Sequence, residues 1–352
     1  MEQQITIPII YWTTWFNTNQ WEGYTIDNCN LNYTCKITHD RTKLVDSSVV
    51  IFHASDMDDT MPSQTKNRAW VYHNAEAPKY QPTIINQMQY SMTYRLDSDF
   101  PWGYFEKRSL LEVMETTLNK TRKMKVPIAW IVSNCKASNY RHHYVRELNK
   151  WIDIDIYGHC MNNIEFPENT STIELISRYH FYLALENSNC KDYVTEKLSH
   201  AYMAGVIPIV DGPSNYGPFI PNTHSVIRLD DFKSPKELAL YLNQVLSQKD
   251  LYDSYLDYRK PGGVSNEFKE TLNIYEQGQC RLCQLAHDRY MKLPYSYYPG
   301  KKIYLDNTCE RRKHFNFKQT DIWKFYLPFF IFILLPVLLV VKKKSRFTRK
   351  KK

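Results

Sequence analysis

The sequence predicts an α/β protein of two Rossmann-like domains that face each other across a cleft, with a membrane-spanning helix near the carboxyl end. Three observations carry this. Strand and helix signals alternate in both halves of the chain, with a break near residues 123–126. Residues 181–212 read as strand, polar loop, helix and strand, the smallest piece of a parallel doubly wound sheet. Residues 323–341 are an apolar run whose only charge is Lys324.

In order, residues 5–12 read as a first strand, followed by a polar segment holding Cys29 and Cys35. Further strands are expected at 48–54, 69–75 and 92–95, and a polar, helical run at 103–123. The second half restarts with a strand at 126–132, a helix at about 139–151 and a strand at 152–157. In the 181–212 unit, Phe181, Leu183 and Leu185 alternate into a loop of Asn187, Ser188, Asn189, Lys191 and Asp192. A helical period starts after Thr195, Gly205 closes it, and residues 206–210 read as a buried strand. Helices are expected at 235–246, 251–258 and 280–291. The domains so delimited are 1–125 and 126–310, with a linker at 311–322, the span at 323–341 and a basic tail at 342–352.

At 352 residues and 43% hydrophobic content the chain can bury two cores. Its net charge of +8 does not point to nucleic acid, because residues 342–352 hold eight Lys and Arg and no acid. The rest of the chain has equal numbers of basic and acidic groups. As a helix, residues 323–341 would be about 28 Å long, enough for one crossing. The basic tail then stays in the cytoplasm and the body faces the lumen. Eight cysteines and the sequons at Asn32, Asn119 and Asn169 agree with an oxidising, glycosylating compartment. Residues 1–20 show neither a basic n-region nor an apolar h-region, so an upstream signal or an unusual insertion route is expected.

The run at 181–212 closely resembles the donor-binding motif of the α1,3-fucosyltransferases, glycosyltransferase family 10. That motif has a phrase like FENS, then DYxTEKL, then an A-G-x-x-P-x-x-x-G-P tail. Its counterparts here are Leu185 to Ser188, Asp192 to Leu198 and Ala204 to Pro213. The resemblance covers most of residues 5–290. It implies the GT-B fold and inverting transfer of fucose from GDP-fucose to the 3-hydroxyl of N-acetylglucosamine in glycoprotein or glycolipid glycans. The donor's fucose is β-linked and the product α-linked, so one direct displacement needs a base opposite the leaving diphosphate.

Glu76 is the expected base. It stands at the end of the strand AWVYHNA in the phrase HNAEAP, similar to the family's N-x-E-S-P with Ala77 in place of Ser, and Pro78 fixes a turn behind it. Lys197 and Arg141 are the expected pyrophosphate contacts, a point charge and a planar fork. His142, His143 and Arg146 compete with Arg141 by position. Glu196 resembles the acid that holds the ribose hydroxyls, Tyr193 the aromatic beside the nucleotide, and Asn187 a hydrogen-bonding partner of the donor. The segment holding Arg95, Asp97 and Asp99 also matches a family motif. Its D-x-D spacing imitates a metal motif of a different transferase fold. In GT-B enzymes side chains and helix ends neutralise the diphosphate, so no metal site or cofactor is expected, and a divalent cation is at most stimulatory.

The resemblance further implies that Cys29 and Cys35 pair with Cys280 and Cys283. A zinc site from these four thiols is the alternative, though C-x5-C with C-x2-C is not a common finger spacing. Cys135, Cys160, Cys190 and Cys309 remain, of which Cys135 and Cys190 end strand-loop junctions. The expected partners are GDP-fucose, a glycan acceptor and a membrane, with no nucleic acid. The expected location is the Golgi membrane or, given the basic end at 349–352, the early secretory pathway. Competing functions are a GT-B transferase for another nucleotide sugar and an inert membrane glycan-binding protein.

Overall fold

The computed structural model describes residues 5–57, 61–78, 86–114, 116, 124–293, 300 and 308–310. In the first half, Ile5–Tyr11 (β1), Thr25–Ile26 (β2), Tyr33–Thr38 (β3), Val49–His53 (β4), Ala69–Asn74 (β5), Tyr90–Thr93 (β6) and Phe100–Pro101 (β7) form one sheet. The order is β2-β3-β1-β4-β5-β6-β7, parallel except for β2 against β3. In the second, Ile128–Ile131 (β8), Ile154–Tyr157 (β9), Phe181–Leu185 (β10), Ile207–Asp211 (β12) and Ile227–Arg228 (β13) form a parallel sheet in the order β13-β12-β10-β8-β9. The residues of β4, β5, β10 and β12 are buried throughout, as expected of strands covered on both faces. Asn189–Cys190 (β11) and Cys309–Glu310 (β14) make a separate antiparallel pair.

In each sheet the chain winds first to one side and then to the other. The strand order reverses between β1 and β4, and between β8 and β10. Ligands of doubly wound sheets bind at such points, beyond the carboxyl ends of the strands. Both sheets belong to one compact unit that ends at Arg311.

The helices follow their sequence signals with local differences. Lys107–Met114 (α1) occupies part of the run expected at 103–123, and Arg141–Leu148 (α2) the middle of 139–151. A short helix, Thr172–Ile176 (α3), precedes β10. Glu196–Ala204 (α4) ends on Gly205, whose left-handed backbone (φ 66°) suits glycine. Pro235–Ser247 (α5) starts on a Ser234 cap, and Lys249–Ser254 (α6) stops short of the expected 258. The last helix, Asn266–Tyr290 (α7), is much longer than 280–291, because Gly278, Gln279 and Cys280 interrupt an apolar period that begins at Phe268. Its first half packs Phe268, Leu272 and Tyr275 into the second core. Its second half packs Leu282, Cys283, Leu285 and Ala286 into the first core.

Two disulfides hold that crossing, Cys29–Cys280 and Cys35–Cys283, as the resemblance implies. The thiols are therefore not zinc ligands. The remaining pairs are Cys135–Cys160 and Cys190–Cys309. Among the described residues no helix is long and apolar enough to cross a membrane. The span expected at 323–341, the linker, the tail and Asn119 lie outside the described residues. Asn32 and Asn169 are exposed.

Candidate active site

The loops after β8 and β10 flank the reversal point of the second sheet, and they carry most of the expected donor residues. Arg141 opens α2 after Tyr140, which takes a left-handed backbone (φ 56°). This turns the guanidinium inward, where it is 4% exposed and Nη1 donates to the Leu185 carbonyl at the end of β10. Its Nε is buried with no partner among the described residues. Burial lowers its pKa, opposed by Glu186, yet a guanidinium stays charged. The loop after β10 carries Asn187, whose buried Oδ1 also has no partner among the described residues. Buried polar atoms are nearly always satisfied, so these two, at the start of α2 and in the loop after β10, fit a site that takes a polar ligand.

Lys197, in the first turn of α4, bonds Thr195 Oγ1 at 2.5 Å, Glu186 Oε2 at 3.1 Å and Glu196 Oε1 at 3.2 Å. Burial alone would lower its pKa, but Glu186 and Glu196 outweigh this and hold it above the ordinary value. The site therefore keeps its positive charge. The sequence reading assigned no role to Glu186, although it lies within the matched phrase Leu185 to Ser188. It is 1% exposed, its Oε1 accepts from Thr195 N (2.8 Å) and Thr195 Oγ1 (2.9 Å), and burial pushes its carboxyl up against the pull of Lys197. The signal that could have found it is position, the first residue beyond a buried strand at a reversal point. Gly212 gives it room: a Cβ there would lie 3.1 Å from Glu186 Cγ and 2.5 Å from Tyr216 Oη. Glu196 is half exposed, and Lys197 holds its pKa below the ordinary carboxylate value although burial works the other way.

Beneath these loops Asn139, Asn189 and Asp211 form a buried polar lattice. Asn139 Nδ2 donates to Glu186 O (2.9 Å), Asn189 Oδ1 (2.7 Å) and Asp211 Oδ2 (3.1 Å), and Asn189 Nδ2 donates to Asp211 Oδ1 (2.9 Å). A fully bonded network of this kind makes a rigid floor.

Glu76 lies just past β5, and its N–H is held by Asn74 Oδ1 at 3.0 Å. The Tyr193 hydroxyl donates to Glu76 Oε2 at 3.1 Å, so the donor loop and the expected base touch across the cleft. The sequence reading set Tyr193 beside the nucleotide and did not foresee that bond. Burial, with Glu186 and Glu76 nearby, pushes the Tyr193 phenol far above its ordinary value, so it keeps the proton that it donates to Glu76. Asp97 and Asp99 do not converge. Asp97 takes a two-point bond from Arg95 (2.8 and 2.7 Å) and one from Lys191 (2.8 Å), whereas Asp99 Oδ2 accepts from Ser91 N and Oγ, both at 2.8 Å.

At the reversal point of the first sheet, Trp15 lies over the His53 ring (4.2 Å) and stacks on His73 (4.8 Å), while exposed Phe16 meets His53 edge-on (4.7 Å). His53 Nδ1 bonds Asp56 Oδ2 at 2.6 Å, and His73 Nδ1 bonds the Tyr11 hydroxyl at 2.8 Å. No residue of this cluster was singled out from the sequence. Its members come from three separate strand ends, and only the sheet order brings them together.

Two doubly wound sheets whose reversal points are joined by the Tyr193–Glu76 bond make up a GT-B-like glycosyltransferase fold. Solved α1,3-fucosyltransferase structures share the fold. One matches with a TM-score of 0.56 at 17% identity, covering 79% of this chain and 91% of that one. A second, with GDP-fucose, has a TM-score of 0.53 at 18% identity, covering 78% and 90%. Two family models match, "Fucosyltransferase, N-terminal" over residues 4–105 and "Glycosyltransferase family 10 (fucosyltransferase) C-term" over residues 119–299. Relatives include the Rattus norvegicus 4-galactosyl-N-acetylglucosaminide 3-alpha-L-fucosyltransferase 9, 37% identical over 71% of this chain and 69% of that protein. The Drosophila melanogaster glycoprotein 3-alpha-L-fucosyltransferase A is 35% identical over 72% of this chain and 51% of its own length. The chain belongs to glycosyltransferase family 10 and is an α1,3-fucosyltransferase enzyme.

Proposed function

We propose that the protein transfers fucose from GDP-fucose, with inversion, to the 3-hydroxyl of N-acetylglucosamine in a glycoprotein or glycolipid glycan. The observation that carries this is the bond between Tyr193 of the donor loop and Glu76 of the opposite sheet, which brings the base to the edge of the donor seat. Arg141 and Lys197 take the pyrophosphate and neutralise the charge that develops as GDP leaves. Glu196 holds the ribose hydroxyls, and Asn187 offers its unpaired Oδ1 to a donor hydroxyl. Glu76 removes the acceptor proton as the hydroxyl attacks the anomeric carbon.

The acceptor lies on the first sheet's side, where Trp15 and Phe16 offer apolar faces to a sugar ring near Glu76. The relatives named for galactosyl-N-acetylglucosamine and for glycoprotein substrates support an N-acetylglucosamine acceptor. Charge balance at the diphosphate comes from side chains, so a divalent cation is not required. Comparing donor hydrolysis and transfer for GDP-fucose, GDP-mannose and UDP sugars tests this reading. Turnover with GDP-fucose alone is expected; a preference for another donor, or no turnover with any, overturns it.

The body faces the lumen of the Golgi or early secretory pathway, anchored by residues 323–341, with glycans on Asn32, Asn119 or Asn169. The disulfides, which persist in oxidising compartments, support that side. Glycosidase digestion of the expressed full chain should give a mobility shift that depends on these asparagines. No shift, with a protease-accessible body in intact microsomes, contradicts the orientation.

A further inference from the structure

Three consecutive residues of the donor loop each reach the loops of the first sheet. Lys191 Nζ pairs with Asp97 Oδ2 at 2.8 Å, Asp192 Oδ2 accepts from Leu96 N at 3.2 Å, and Tyr193 Oη donates to Glu76 Oε2 at 3.1 Å. The turn that aims them is tight. Asp192 is left-handed (φ 60°), Tyr193 N bonds Cys190 O at 3.1 Å, and Val194 N bonds Asp192 O at 3.0 Å. A left-handed non-glycine residue persists only where its surroundings hold it.

Those surroundings come from the far end of the chain. β11 pairs with β14, Lys191 N donates to Thr308 O at 3.1 Å, and Cys190 is joined to Cys309. Buried Cys190, Ala77, Tyr94 and Tyr193 form one small cluster with Tyr104 and Cys309 against it. Ala77, which stands where the family pattern has Ser, thus faces the tether. The family match ends at residue 299, so Cys309 and its strand lie beyond it.

We propose that this Cys309-tethered strap is the positioning device of the base: the tether fixes the turn, and the turn holds the Tyr193 hydroxyl on one oxygen of Glu76, leaving the other for the acceptor proton. The proposal rests on the reading of Glu76 as base. Glu196 and Lys197 follow in the first turn of α4, so one short segment sets both the donor seat and the base. Displacements of about 1 Å at a reacting group cost about 100-fold in rate, which makes such a shared frame effective. The ring of Tyr193 packs edge-on against Tyr94 with centroids 4.9 Å apart, which fixes its plane independently of the hydroxyl.

Tyr193→Phe keeps that packing and removes only the bond. Its kcat is expected to fall about 10- to 100-fold, with KM for GDP-fucose within about threefold and Tm lowered by no more than a few degrees. Replacing Cys190 and Cys309 together by Ala should lower kcat by a similar factor, and adding Tyr193→Phe to that pair should cost little more, since both act through one bond. Asp97→Asn, which opens the ionic tie and leaves the disulfide, serves if the cysteine pair does not fold, and should lower kcat in the same sense.

An unchanged kcat with a raised KM in Tyr193→Phe makes the hydroxyl a donor contact only and overturns the proposal. Independent, multiplying losses in the combined variant overturn it as well. Glu76→Gln separates the two readings: if it still transfers, the base assignment itself has failed. An inactive Glu76→Gln beside a fully active Tyr193→Phe sinks the strap alone.

Discussion

At the residue scale the site sorts into groups that move a proton and groups that hold charge. Glu76→Gln preserves shape and removes the base, so acceptor transfer should fall by about 10² to 10⁴ while GDP binding stays near normal. Steady-state transfer and calorimetry with GDP check the two halves of that statement. Arg141→Ala and Lys197→Ala should act in the opposite way. Each removes a charge-assisted contact worth about 1.5 to 3 kcal/mol, so GDP itself binds more weakly with little change in acceptor affinity. Unchanged GDP affinity in both would misplace the pyrophosphate.

His142, the neighbour that competed with Arg141 in the sequence, is pushed down to about 4 by burial, with His143, Arg146 and Arg141 adding repulsion. Its neutral form is the folded one. Between the ordinary value of 6.5 and about 4 the unfolded chain takes up a proton that the folded chain refuses. This contribution to stability is whole above that window and is lost as pH falls through it. His142→Gln should flatten the decline of Tm with acidity between those values, which thermal melts across the range will show.

At the scale of elements, the order β10, loop, α4, β12 was legible from the sequence because its signals agree. Buried strands alternate with polar loops, Thr195 precedes the helical period and Gly205 ends it. Glu76, Lys197 and Arg141 were singled out through the wording of motifs and not through any property of a lone carboxylate or cation. The strand β3 was missed, since Thr34, Cys35 and Lys36 read as polar loop until the pairing with β1 buries Tyr33, Cys35 and Ile37. The start of α7 was missed for a related reason: its apolar positions serve two cores in turn, so no single stripe runs through it.

That helix is the element whose loss should matter most. Cys35 and Cys283 are fully buried, and replacing both by Ala should cost about 2 to 5 kcal/mol, read as a lowered denaturation midpoint. A midpoint shift of less than about 1 kcal/mol would mean that packing alone holds the crossing.

At the scale of the whole molecule, α7 makes the first domain depend on residues that come last. Cys29 and Cys35 are separated from their partners by 251 and 248 positions. Ribosomes add about 5 to 20 residues per second, so these two thiols wait roughly 10 to 50 s for partners to be synthesised. Throughout that interval the first core lacks Leu282, Leu285 and Ala286, and its early cysteines are open to wrong partners among those made sooner, Cys135, Cys160 and Cys190. Biogenesis of the enzyme is thus a matter of timing and of thiol custody: the nascent amino-terminal half needs a reductase or isomerase to keep it until the last helix arrives. Alkylation trapping of arrested nascent chains should find Cys29 and Cys35 unpaired in every chain that stops before Cys280. A stable bridge from Cys29 or Cys35 to another early cysteine in those chains would show that the two thiols do not wait unpaired.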